Sequence, residues 1–112
     1  MPNELQVVYT PVFKNTLARL WYFLAHNDSE ELANDVREQI RTSINKKLAT
    51  NPFLGAVSER LMSMGIKKYR QFLVAEHNLI FYKLENDKLV ILAVMDTRQN
   101  ISDVLYNVLL QY

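Results

Sequence analysis

Apolar residues recur along this chain at two periods, and the change of period divides it into helices and strands. Leu5-Gln-Val-Val-Tyr-Thr10 reads as a short strand, with Val7 and Tyr9 on one face and Gln6 and Val8 on the other. Thr10-Pro11 supplies an N-cap followed by proline at the first helical position. Phe13, Leu17, Leu20 and Leu24 then follow at spacings of four, three and four, with Trp21 alongside. That stripe predicts an amphipathic helix ending near His26-Asn27. Asp28 reads as the next N-cap, with Glu31 as its capping-box partner. Leu32, Val36, Ile40, Ile44 and Leu48 recur at every fourth position, so a second helix is expected over 28–50. Acidic Glu30, Glu31 and Asp35 near its start and basic Arg41, Lys46 and Lys47 near its end suit the helix dipole. The short link makes the two helices an antiparallel hairpin.

Thr50-Asn-Pro-Phe-Leu-Gly55 turns the chain, and 56–65 reads as a connector in which Val57, Leu61, Met62 and Met64 form a loose helical turn. Three β-rich runs follow at 66–74, 78–85 and 88–95. The breaks between them are of hairpin length, so these strands are antiparallel. Asn86-Asp87 can adopt the positive φ that a two-residue hairpin needs. Val90, Leu92 and Val94 alternate with Leu89, Ile91, Ala93 and Met95, so the last strand is apolar on both faces and covered on both. Ile101, Val104, Leu105, Val108 and Leu109 have the spacing of a short terminal helix. The expected fold is α+β: an N-terminal strand, a helical hairpin packed on a small antiparallel sheet, and a short C-terminal helix.

At 112 residues the chain is one domain, 1–112, and 49% hydrophobic content supplies a core. Without cysteine, disulfides, zinc–thiolate sites and thiol catalysis are excluded. Met1-Pro-Asn-Glu-Leu5 has neither the basic start nor the apolar stretch of a signal peptide, and no apolar run reaches membrane-span length. A cytoplasmic protein is expected. A net charge of +1 does not itself point to nucleic acid, so only local clustering of cations could.

Such clustering is present around Lys67, Lys68 and Arg70 in the first β-run and Arg98 after the third. A twisted sheet could bring these onto one concave face. In a strand over 66–74, Lys68 and Arg70 share one face, and Lys67 and Tyr69 the other. Lys67 and Lys68 also suit a solvated strand edge that blocks aggregation. Structural ion pairs compete for the arginines: Arg98 with Asp96 or Asp103, Arg70 with Glu76. Trp21, Tyr22 and Phe23 read as partly core. His26 closes a helix and His77 sits at a turn; neither has a second ligand at metal spacing, so no metal and no cofactor is expected.

Element order and particular residues together resemble the RelE/ParE superfamily of bacterial toxins from type II toxin–antitoxin modules. The carrying features are Asn51-Pro52 with Gly55, Lys68-Tyr69-Arg70, Leu79-Ile-Phe-Tyr82, and Leu92-Ala-Val-Met-Asp-Thr-Arg-Gln99. The resemblance implies a growth-inhibiting toxin of a plasmid-stabilisation system, neutralised in a hetero-oligomer by a cognate antitoxin whose C-terminal segment folds on binding. It implies that Arg70 and Arg98 occupy the shared arginine positions. Lys67, Lys68, Arg70, Arg98 and Leu105 would then contact target or antitoxin, and Arg70 and Arg98 would serve toxicity without being needed for folding.

Two branches stay open. ParE-like members poison DNA gyrase by contact. RelE-like members cut mRNA on the ribosome, and here Lys68, Arg70, Arg98 and Tyr106 would carry that activity. Cleavage by 2′-OH attack needs a base and an acid besides cations. Glu59, His77, Asp96 and Tyr106 are candidates by type. Asp96-Thr97 stands where many members carry a histidine, and Leu105 where RelE-like members carry a tyrosine; Tyr106 lies about 100° further round the helix. The ParE-like reading is therefore favoured.

Overall fold

A computed structural model describes residues 5–109, and the side chains of 5–108. The reading of Met1 to Glu4 and of the Leu109 side chain lies outside the described residues. Strand β1 spans Gln6–Tyr9, helix α1 Pro11–Asn27, helix α2 Glu30–Thr42, strand β2 Ala56–Val57 and helix α3 Glu59–Ser63. Strands β3 (Arg70–Val74), β4 (Asn78–Glu85) and β5 (Lys88–Asp96) and helix α4 (Ile101–Leu109) complete the chain.

The helical hairpin forms as expected, with two local corrections. Thr10 caps α1, its Oγ1 accepting from the Phe13 N–H at 3.0 Å. At α2 the cap is Ser29, whose Oγ accepts from the Leu32 N–H at 3.0 Å, rather than Asp28. Asp28 still belongs to the end of α1, where its N–H donates to the Leu24 carbonyl at 2.8 Å. Asn27, not His26, caps there with its side chain, Nδ2 donating to the Phe23 carbonyl at 2.8 Å. Of the aromatic triplet, Tyr22 is exposed, while Trp21 donates to Asn34 Oδ1 at 2.9 Å and so ties α1 to α2.

A fourth-residue repeat overshoots each α-helical turn by about 40°, so five such positions cannot share one face of a regular helix. The chain resolves this by widening its last turns. Over Ser43–Leu48 the bonds lengthen to the i→i+5 pattern, with the Ala49 N–H donating to the Ile44 carbonyl at 2.9 Å. More residues per turn bring the stripe back, and Ile40, Ile44 and Leu48 are all buried. Leu32, at the far end of the drift, is 38% exposed.

The sheet is mixed rather than purely antiparallel, in the order β1-β5-β4-β3-β2. β1 runs parallel to β5, with Gln6 opposite Lys88 and Tyr9 opposite Ile91. Side-chain alternation shows which face a residue takes but not which strand lies beside it, so the sequence holds no sign of this pairing. Beyond β1 the open edge of β5 is met by α1: Thr16, fully buried, accepts from the Val94 N–H at 3.1 Å. Asn86 and Asp87 take φ of 52° and 60° between β4 and β5, as the hairpin requires.

β5 departs from strict alternation. Phe81 pairs with Ala93 and Tyr82 with Ile91, so Leu92 is an extra residue in β5. The bulge flips the faces. Leu89, Ile91 and Val94 enter the core under the hairpin, with Phe13, Leu20, Leu24, Ile40 and Ile80. Leu92, Ala93 and Met95 enter a second core on the other side, with Leu61, Phe81, Ile101, Leu105 and Val108. Leu92 and Val94 therefore do not share a face as simple alternation required. Among the described residues no helix is long and apolar enough to cross a membrane.

Candidate partner-binding surface

The turn after α2 is built around one phenol. Tyr82 is fully buried; its hydroxyl donates to the Pro52 carbonyl at 2.8 Å and accepts from the Gly55 N–H at 2.8 Å. A Cβ at Gly55 would lie 2.5 Å from the Tyr82 hydroxyl and 2.6 Å from the Gln71 carbonyl, so only glycine fits. Arg70 closes the arrangement. Its Nη1 donates to the Gly55 carbonyl at 2.7 Å, and its guanidinium lies 5.1 Å from the Phe53 ring centroid. Burial pushes the Tyr82 phenol up, against the opposing pull of the Gly55 N–H and the Arg70 charge. The latch holds the 51–55 loop with Phe53 64% and Leu54 48% exposed. Tyr82→Phe keeps the shape but strands the Gly55 N–H, and is expected to cost about 1–3 kcal/mol in urea melts. A loss under about 0.5 kcal/mol would mean the latch is not structural.

Lys67 and Lys68 are not strand residues. β3 begins at Arg70, and the chain before it turns through positive φ at Gly65 (82°) and Lys68 (72°). The facing pattern expected over 66–74 does not exist there, though both lysines are exposed. The same end of the sheet carries Tyr69 and also Lys83, which sequence reasoning did not single out. Lys83 Nζ sits 5.2 Å from the Tyr69 ring centroid and pairs with Glu85. That hydrogen bond to Glu85 is the main reason its ammonium titrates above the usual lysine range. In sequence, Lys83 was hidden as one polar residue in an apolar run.

Arg98 stands apart. Arg70 pairs with Tyr82 at one end of β3, whereas Val74, at the other end, pairs with Asn78, and Asn78 with Asp96. Four residues of strand separate the two ends, about 13 Å. The single concave face expected for the four cations is therefore not formed. Asp96 is fully buried and accepts from the Arg98 N–H at 2.7 Å, from its Nε at 3.0 Å and from its Nη2 at 2.8 Å. Arg98 Nη2 also meets Asp28 Oδ2 at 3.3 Å, and the guanidinium lies 5.5 Å from the Phe23 ring centroid. Of the competing ion pairs, Arg98 with Asp96 forms. Asp103 instead lies in the first turn of α4, its N–H donating to Asn100 Oδ1 at 3.1 Å. Glu76 lies at the opposite end of β3 from Arg70, 4.0 Å from His77. Burial alone would raise the Asp96 pKa, but the Arg98 bonds outweigh it and hold the carboxyl below its ordinary range.

Leu105, expected at a contact surface, is fully buried beneath α4, while its neighbour Tyr106 is 65% exposed. Glu59 lies in the first turn of α3.

Residues 7–101 match the family described as the ParE toxin of the type II toxin–antitoxin system parDE. The chain belongs to the ParE toxin family. It is thus a toxin of the RelE/ParE superfamily. Comparison with curated protein sequences gives no match. Among solved structures, the toxin is similar to a chain of the chromosomal ParDE system from P. aeruginosa, at 14% identity and a TM-score of 0.66. That likeness covers 85% of this chain and 98% of the other. It is also similar to a chain of the toxin–antitoxin complex RelBE2 from Mycobacterium tuberculosis, at 14% identity and a TM-score of 0.56, covering 83% and 91%. A conserved hypothetical protein from Helicobacter pylori matches at 17% identity and a TM-score of 0.52, covering 82% and 93%. At these identities the likenesses establish the fold: α+β, with N-terminal strand, helical hairpin, mixed sheet and C-terminal helix.

Proposed function

We propose that this toxin inhibits DNA gyrase by direct binding and is neutralised by a cognate antitoxin, rather than cutting mRNA on the ribosome. The observation that carries this is the separation of Arg98 from the cations at the Arg70 end of the sheet. A phosphate at the Arg70 end of the sheet lies about 13 Å along the strand from Arg98. Arg98 is already charge-paired with Asp96 and Asp28. Nor does Asp96 serve as a general base, since its carboxylate is buried and committed to three bonds from Arg98. Contact inhibition asks less: a complementary surface with a few anchors. The latched loop supplies such anchors in Phe53 and Leu54, with Arg70 against Phe53 and the exposed Val57 paired to Arg70.

The test is purified toxin in two assays, gyrase-dependent supercoiling and cleavage of a translated message on ribosomes. Supercoiling is expected to fall with toxin concentration while the message stays intact. Codon-phased cuts with supercoiling untouched would overturn the reading and direct attention to Tyr106 and Lys83.

A further inference from the structure

Charge is unevenly placed along the chain. Residues 53–70 carry four bases, Arg60, Lys67, Lys68 and Arg70, against one acid, Glu59, although the whole chain is only +1. Among the described residues none of these four bases is in a salt bridge. Arg60, Lys67 and Lys68 are exposed, and half-buried Arg70 uses Nη1 on the Gly55 carbonyl. The same stretch holds exposed apolar side chains: Phe53 and Leu54, then Val57 at 51% and Met62 at 49%. The fold brings bases and apolar groups together at the β2 edge of the sheet. Val57 pairs with Arg70, the Ser58 N–H donates to the Tyr69 carbonyl at 2.9 Å, and the Arg70 guanidinium lies over the Phe53 ring. The loop backbone, by contrast, is already bonded internally. The Phe53 N–H donates to Asn51 Oδ1 at 3.2 Å, the Leu54 N–H to the Asn51 carbonyl at 3.3 Å, and the Gly55 N–H to the Tyr82 hydroxyl. A partner therefore meets side chains on a fixed frame, and little ordering entropy is lost when the loop docks.

We propose that the 53–70 surface docks an acidic patch of the target protein that carries an apolar pocket for Phe53 and Leu54. The inference rests on the gyrase reading above for the partner's identity. It adds which face of the toxin binds and what chemistry meets it. Four bases without carboxylate partners of their own are complemented by carboxylates on the other side, and a basic surface would be rejected. Arg70 keeps part of its guanidinium fork for a carboxylate while its plane holds the Phe53 ring. A nucleic acid would also meet the cations, but aliphatic Leu54, Val57 and Met62 offer a phosphate backbone nothing. Aromatic, methionine and arginine side chains together are what protein interfaces concentrate.

The test uses the full-length toxin, purified gyrase and a short DNA duplex. One variant joins Phe53→Ser to Leu54→Ser and removes the anchors; a second joins Lys67→Glu to Lys68→Glu and reverses charge. All four positions are exposed, and circular dichroism melts establish that each variant folds. Should one pair unfold the toxin, the other still decides. Surface plasmon resonance is expected to show affinity for gyrase falling about tenfold or more in each variant. Wild-type binding should weaken as salt rises from about 0.05 to 0.5 M, and the charge-reversed variant should lose most of that dependence. Both variants should relieve growth arrest in cells, and the duplex alone should not be retained. Gyrase binding by the wild type that both variants match would overturn the surface while leaving the gyrase reading standing. If the wild type binds no gyrase, that reading fails and growth arrest judges the surface: unchanged arrest by both folded variants overturns it, and relief upholds it. Duplex binding that disappears with the lysines would overturn the protein partner in favour of nucleic acid.

Discussion

Ile40→Ala should lower the unfolding free energy by about 2–5 kcal/mol. Ile40 is 1% exposed and sits where α2 crosses the core under the hairpin, with Leu20, Leu24 and Ile80 as fellow members. Its removal leaves a cavity walled by two helices and a sheet, none of which can collapse without moving the others. Leu92→Ala probes the opposite core. Leu92 is 8% exposed and occupies the bulge in β5, where the strand can relax more easily, so its loss should fall toward the lower end of the same range. Leu32→Ala is the internal control: at 38% exposed it should cost under about 1 kcal/mol. Urea melts of the three variants decide the matter. Equal losses at Ile40 and Leu32 would mean that the wide turn does not set which residues of the fourth-residue stripe are buried.

Arg98→Ala should destabilise the toxin by about 1–3 kcal/mol, because a fully buried Asp96 carboxylate would lose its cation. The lower half of that range is the better expectation, since the Arg98 side chain is 43% exposed and screened by solvent. This revises the expectation that alanine at Arg98 relieves growth arrest with little change in stability; relief would partly report a weaker fold. Adding Asp96→Asn to Arg98→Ala should restore some of the loss, because a neutral amide needs no counter-charge. The pH dependence has a definite sign. The folded carboxyl of Asp96 titrates below its ordinary value, so its stabilisation is present above the unfolded pKa of about 3.9. It is lost as pH falls through the lower folded value. Wild-type stability should therefore drop steeply below about pH 4, and Asp96→Asn should flatten that limb. A variant as acid-sensitive as the wild type would show that other carboxyls carry the acid transition.

Local features were legible in the sequence because local chemistry dictates them. Thr10-Pro11 opens α1, Asn86-Asp87 turns the hairpin, and the apolar double face of β5 marks a strand buried on both sides. What was hidden depended on partners distant along the chain. The parallel pairing of β1 with β5 leaves no mark on either strand's alternation. The bulge at Leu92 follows from register with β4, and β2 is two residues whose strand character exists only because β3 lies beside it. For the candidate site, the residue types around Arg70 and Arg98 could be read, and so could the possibility that Asp96 neutralises Arg98. Their positions at opposite ends of β3 could not be read, because a strand's cations converge or diverge according to its neighbours. Ser29 displaced Asp28 as a cap for a related reason: Arg98, seventy residues away, takes up the Asp28 carboxylate.

The parallel seam between β1 and β5 sets the order in which this protein can become itself. Gln6 has no strand partner until Lys88 exists, and the Thr10 hydroxyl reaches the carbonyls of Ile91 and Leu92, both at 3.0 Å. On the ribosome the first strand therefore emerges long before its neighbour is made. The hairpin of α1 and α2 forms from local contacts, but the sheet it must cover is the last large element to be synthesised. Closing so distant a contact makes assembly slow relative to helix formation. Until then the newborn chain presents the apolar stripe of its helices without a sheet to cover it. The complete sheet, and any surface that depends on it, can therefore form only once β5 has been made.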